Sequence, residues 1–276
     1  MLEQALQLGV TALDIAYNYF GFKSHHTLAR IAGDLLPLFT ISTKLGFFPT
    51  SNDDDTQHCL DPKRLRQALE ETTENLQRLP NVVLLHNPEH SLRTLADNTA
   101  QACLAEAFLA LQEATDCRLC HAWGISTWDP RPLVPVLRSL EESSLPRPTV
   151  AMVRTGVLVS ARVLDAAEYL YNQLGVHDAG RWGMSPFGGG VHAQVWRRVD
   201  CRALLMPDQD CSNLQAAFRL AFALPTIAQV AVSTNRSDHL RALVEATSLK
   251  VDTDKLLRYR RILQERQATP AGEHDT

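Results

Sequence analysis

The chain has 276 residues, 45% of them hydrophobic, with a formal net charge of -4 and a pI near 6.2. That size and apolar content suit one substantial core, and the slight acidity, with no Lys/Arg cluster interleaved with aromatics, argues against a nucleic-acid partner. No apolar run reaches the roughly 20 residues needed to span a bilayer, and the opening MLEQALQLGV lacks the basic start and apolar stretch of a secretory signal, so a cytoplasmic protein without membrane spans is expected.

The first element is an amphipathic stretch, LEQALQLG, read as a helix. Short apolar runs then alternate with longer amphipathic ones. TALDIAYN is followed by SHHTLARIAGDLL, FTISTKLG by DPKRLRQALEETTENLQRL, and NVVLLHNP by LADNTAQACLAEAFLALQEAT. The second half continues with CHAWGIST and DPRPLVPVLRSLEE, TVAMVRTGVL and SARVLDAAEYLYNQLG, RWGMSPFG and NLQAAFRLAFAL, and finally IAQVAVSTN. Buried parallel strands read as near-continuous apolar runs, and helix-length segments between them require right-handed crossovers. The pattern is α/β, a barrel or a doubly wound sheet, with seven visible strands. No GxGxxG follows the first strand, which argues against a Rossmann dinucleotide site.

Asp61-Pro62 and Asp129-Pro130 each place an N-cap residue before a proline suited to a first turn, and Ser237-Asp238 opens the last unit. The SNDDDTQH segment reads as a low-complexity loop, and a single domain over residues 1–266 is expected to precede a disordered polar tail over 267–276. Six cysteines are scattered without the spacing of a disulfide scaffold. Cys117 and Cys120 form one CxxC before His121; no second ligand pair is visible, so two thiols at a strand entry are favoured over a metal site, and no metal is expected.

Asp14, Tyr19, Lys44 and His86 each sit at or near the C-terminal end of an apolar run, where an α/β barrel builds its active site. Singly, each has an ordinary reading: a strand-end cap, a rim residue, a satisfied core histidine. Together they form a proton-transfer set. Reduction of a carbonyl needs a proton donor beside the oxygen. Tyr19 is the candidate donor, a Lys44 ammonium beside the phenol stabilises the tyrosinate left behind, and Asp14 holds that ammonium. His86 supplies a second donor or a relay to Tyr19.

GVTALDIAYNYFG, STKLGF, VVLLHNPE, HAWGISTWDP, WGMSPFGGG and VAVSTNRSDHL, in this order, resemble the successive motifs of the aldo-keto reductases, nicotinamide-dependent enzymes on a (β/α)8 TIM barrel. The resemblance runs from the first residues to about Ala246 and assigns the catalytic set to Asp14, Tyr19, Lys44 and His86. It implies NADPH as cofactor, with Ser126 and Thr127 at the carboxamide, Met152 at a position the family fills with Gln, and Met184 where the family stacks an aromatic ring. Ser185 belongs to the same segment, and Ser233, Thr234, Asn235 and Arg236 form the phosphate loop ahead of a helix N-terminus, with Arg236 facing a 2′-phosphate. A methionine offers only a weak acceptor and no flat ring, so nicotinamide binding is expected to be weakened or reshaped. By the same resemblance, a barrel lacking the family's N-terminal hairpin and first strand is expected.

Arg154 and Trp182 are candidate substrate-binding residues, since an arginine at the barrel mouth can take a carboxylate, phosphate or sugar hydroxyl; a structural salt bridge is the competing reading. The activity the resemblance implies is NADPH-dependent reduction of an aldehyde, ketone or sugar-like carbonyl. The alternatives are a non-redox lyase, isomerase or dehydratase on the same barrel, and a non-catalytic binding subunit.

Overall fold

Each of the seven apolar runs is a strand, and together they form one parallel sheet in the order β1 (Ala12–Asp14), β2 (Thr40–Leu45), β5 (Val82–His86), β6 (Ala122–Thr127), β7 (Val150–Arg154), β8 (Arg181–Met184) and β9 (Gln229–Ala231). Between β2 and β5 lies an antiparallel hairpin, β3 (Phe47–Pro49) and β4 (Thr56–His58). The structure is a computed structural model and describes residues 1–51, 55–140 and 144–268.

The strands are apolar on both faces because both faces are covered. Val82, Leu84, Val150 and Met152 point inward and pack with Trp182, Met184 and Ala231. The alternate residues Val83, Leu85, Ile125, Ala151 and Val153 point outward into the layer beneath the helices. Those helices are α1 (Leu2–Gln7), α2 (Tyr19–Phe22), α3 (Ser24–Ala32), α4 (Pro62–Leu76), α5 (Glu89–Leu92), α6 (Asp97–Asp116), α7 (Leu133–Ser139), α8 (Ala161–Leu174), α9 (Asn213–Ala221), α10 (Ser237–Ala246) and α11 (Thr253–Ala268). None of them is long and apolar enough to cross a membrane. Residues 20 and 21 of α2 have left-handed dihedrals, so this segment is a tight turn more than a helix.

Gly124 explains why β6 and β7 can lie so close: a Cβ there would fall 2.1 Å from the Val150 carbonyl oxygen and 2.8 Å from Leu84 Cδ2. Asp61 caps α4 as expected, accepting from the Arg64 N–H at 2.9 Å. Asp129 does not cap α7. Its Oδ1 accepts from the Arg131 N–H at 3.1 Å, which turns the chain first, and the helix starts at Leu133.

Two further expectations are corrected. SNDDDTQH is not all loop: Thr56–His58 pairs with Phe47–Pro49 because His58 is pinned by the Ser91 hydroxyl and the His86 carbonyl, while residues 52–54 lie outside the described ones. The last helix extends through Ala268, past the expected start of the tail, and residues 269–276 lie outside the described ones.

β1 and β9 are the two ends of the sheet order. Helix α1 lies against α10, which brings those ends round towards each other. The architecture is a nearly closed parallel barrel of seven strands, a (β/α)8 barrel short of its first strand.

Candidate active site

The inward alternation of the strands sets the site. Asp14 ends β1, Lys44 is the penultimate residue of β2, and His86 ends β5. Lys44 is 1% exposed, and a buried ammonium needs a partner. Asp14 Oδ2 stands 2.5 Å from its Nζ, and the Ile15 carbonyl accepts a second bond at 3.1 Å. Asp14 is oriented in turn by the Ser42 hydroxyl, which donates to Oδ1 at 2.8 Å.

Tyr19 comes from the turn after β1, where the chain folds back over the strand ends. Its ring lies 5.1 Å from Lys44 Nζ and meets the His86 ring edge-on at 6.0 Å. The side chain is 42% exposed, and its hydroxyl makes no hydrogen bond among the described residues. The structure therefore brings all four residues to one place, with the phenol at the surface and the ion pair beneath it.

His86 is buried, and its Nδ1 has no hydrogen-bond partner among the described residues. Burial, followed by the Lys44 charge and the neighbouring His58 and His90, lowers its pKa to about 3, so the imidazole is neutral near pH 7. The hairpin contributes a part that sequence reasoning missed. Phe47 is packed among His58, His86 and His90, at ring distances of 4.7, 5.0 and 5.5 Å. His58 Nε2 donates to the His86 carbonyl at 2.8 Å, which leaves Nδ1 to accept from the Ser91 hydroxyl at 2.7 Å. The histidines of QHCL and PEHS stand 32 positions apart in sequence, with no shared period to mark them as neighbours.

The other candidate residues divide into three groups. Ser126 is in register with His86 on one side and Met152 on the other, and its hydroxyl reaches only the Met184 sulfur, at 3.9 Å. Thr127 is buried, with its hydroxyl beside the Glu89 carboxyl. Met152 is walled in by Val82, Leu84 and Val150, inside the barrel. Ser185 follows β8 with φ 54°, at the start of the turn to Gly188. Ser233, Thr234, Asn235 and Arg236 follow β9, and no side chain caps α10. Arg236 is not free: its Nε donates to Asp238 at 3.0 Å, and its Nη2 at 2.5 Å.

Arg154 ends β7 at the barrel mouth, but Trp182 does not reach it. Trp182 is the second residue of β8, and its indole N–H donates at 3.1 Å to the Ala179 carbonyl, ahead of the strand. Arg181 is tied to the same N-terminal end by Asp178 at 3.0 Å. Trp128 and Glu89, which the sequence did not single out, do belong to the mouth. Glu89 is buried, its Oε1 accepts from the Trp128 and Asp129 N–H groups at 2.8 and 3.0 Å, and burial raises its pKa against those bonds. Cys117 and Cys120 lie elsewhere, one exposed and the other buried against Thr115.

Comparison with known proteins agrees with this architecture. Residues 1–192 match the family model described as aldo/keto reductase family. No curated protein sequence matches the chain. The holo form of aldo-keto reductase AKR11C1 from Bacillus halodurans superposes with a TM-score of 0.69 at 16% identity, over 95% of this chain and 85% of that one. Aldose reductase from Giardia lamblia superposes with a TM-score of 0.65 at 16% identity, over 96% and 87% of the two chains. At such identities the likeness speaks for the fold, while the family match spans well over half of the sequence. The chain belongs to the aldo/keto reductase family, oxidoreductases that act on small carbonyl compounds with nicotinamide cofactors.

Proposed function

We propose that this protein reduces a small carbonyl substrate with NADPH, Tyr19 donating the proton. The observation that carries the reading is the buried Lys44–Asp14 pair directly beneath an exposed tyrosine and beside a neutral histidine. Tyr19 gives its proton to the carbonyl oxygen. The Lys44 ammonium stabilises the tyrosinate that remains, and Asp14 keeps that charge aimed at the ring. His86, neutral at pH 7, offers one N–H to the same oxygen.

The residues present suit a nicotinamide cofactor at its carboxamide. Ser126 has a hydroxyl spent only on a thioether, so it is open to an amide, while the Thr127 hydroxyl would have to turn from the Glu89 carboxyl to reach one. Met152 and Met184 would form the apolar floor under the ring, and Ser185 would close that segment. Ser233, Thr234 and Asn235, with the uncapped first turn of α10, would hold phosphate. Arg236 would have to exchange Asp238 for the 2′-phosphate. When bound, the nicotinamide supplies the hydride.

Fluorescence titration with NADPH tests the reading, with binding in the micromolar range as the expected result. A folded sample that binds no NADPH at high micromolar concentration would end it. The same acid/base set would then serve a lyase, isomerase or dehydratase, a second reading favoured by Met152, Met184 and the Arg236–Asp238 pair.

A further inference from the structure

Arg154 lies two residues beyond the inward-facing Met152 and in register with Met184, so it stands on the inner wall where the barrel opens. Its Nε donates to the Trp128 carbonyl at 2.6 Å, and its guanidinium carbon is 5.1 Å from the centre of the indole. That uses one of five donors. Among the described residues no carboxylate forms an ion pair with the other four. Asp129 is the obvious candidate, but Arg131 holds both of its oxygens at 2.7 to 3.2 Å. Glu89 spends Oε1 on two backbone N–H groups. A half-buried arginine is ordinarily paired, and this one is held in place by backbone and indole with its fork unused. Trp128, 44% exposed, leaves an apolar surface beside that fork.

We propose that Arg154 and Trp128 form a carboxylate-binding subsite at the mouth, and that the substrate is a carbonyl compound carrying a carboxylate. The guanidinium takes the carboxylate bidentately, and the indole covers the apolar segment between carboxylate and carbonyl. A monoanion fits better than a phosphate dianion. Arg154 is the cation with donors to spare, since neighbouring Arg131 is held by Asp129, and the carboxyl groups of Asp129 and Glu89 stand close enough to repel a second negative charge. The assignment of a substrate class rests on the reductase reading above; the subsite itself does not.

The test compares 4-carboxybenzaldehyde with benzaldehyde, reading kcat/KM for NADPH oxidation in the wild type, Arg154→Gln and Arg154→Lys. The wild type should favour the carboxylated aldehyde by about thirtyfold, the scale of hydrogen bonds to a charged group. The ratio should fall close to one in Arg154→Gln, chiefly through KM, and to an intermediate value in Arg154→Lys, which keeps the charge without the fork. A wild-type ratio near one, or one that survives Arg154→Gln in a folded protein, overturns the proposal. So does a preference for 4-formylphenyl phosphate over the carboxylate. If neither aldehyde is turned over, calorimetric titration with benzoate decides the subsite alone. Binding lost in Arg154→Gln supports it while the reductase reading falls, and no binding to the wild type overturns it.

Discussion

Lys44 shows how one buried charge organises the site. An ammonium withdrawn from water is tolerable only with a partner, and Asp14 supplies it on one side while the Ile15 carbonyl fills another donor. Replacing Asp14 by Asn should therefore cost about 3 kcal/mol in a urea melt, because a buried charge is left uncompensated. Unchanged stability in that variant would mean that Lys44 has another partner. Tyr19→Phe separates chemistry from stability. Its exposed hydroxyl makes no hydrogen bond among the described residues, so the melt should move by less than about 0.5 kcal/mol, while turnover should fall at least about a hundredfold. Retention of more than a third of the activity would remove Tyr19 as proton donor. Asp14, Lys44 and His86 are legible in sequence because each closes an apolar run, while Tyr19, in the turn after β1, is legible from its motif. Trp182 was misplaced because it is the second residue of the RWGMSPFG run, at the N-terminal end of β8, which leaves the indole in the lower half of the barrel. Nor could a sequence reveal that Arg131 takes Asp129 and leaves Arg154 with no ion pair among the described residues.

The elements around the site are sensitive to acid and to volume. His86 on β5 and His25 on α3 are buried, and His58 on the hairpin is half-buried; all three are neutral, with pKa values lowered to about 3, 4 and 4, in each case mainly by loss of solvent. Each folded value lies below the unfolded value near 6.5, so the stability is fully present above pH 6.5 and is lost as pH falls towards 4. By pH 4.5 the loss should reach about 2 kcal/mol per histidine. Three together would remove a large part of a typical stability of about 5–15 kcal/mol. Urea melts at pH 7, 5.5 and 4.5 measure this. In His25→Gln, whose amide can keep the 2.8 Å contact to Thr43, the fall should be shallower, and an identical slope would show that His25 does not titrate on unfolding. Gly124 fixes the spacing of β6 against β7. Gly124→Ala should destabilise by about 2 kcal/mol, since the added carbon meets the Val150 carbonyl and the Leu84 side chain. The alternating pattern of apolar runs and amphipathic stretches reveals the strands and helices. The β3–β4 hairpin escapes it, because polar Thr56, Gln57 and His58 pair through backbone bonds and one pinned histidine, without apolar periodicity.

Taken whole, the barrel leaves two strand edges to account for. β5, β6 and β7 have neighbours on both sides, whereas β1 and β9 each pair on one side only. An edge strand offers its outer N–H and C=O groups to water or to another chain, and its inner bonds break without disturbing the rest of the sheet. Native-state hydrogen exchange should therefore split the sheet. Amides of β5 and β6 should exchange only through global unfolding, while those of β1 and β9, and the Ile15 and Tyr17 amides bonded to Ser42 and Lys44, should exchange through local opening, several kcal/mol more easily. The consequence reaches the chemistry, because Asp14 sits at the end of β1 and its hold on Lys44 is only as steady as that strand. Equal protection across all seven strands would show that the edges are closed in solution, by pairing with each other or with a second copy of the chain. Dilution distinguishes those two cases: protection that falls as the protein concentration is lowered assigns the closure to a dimer.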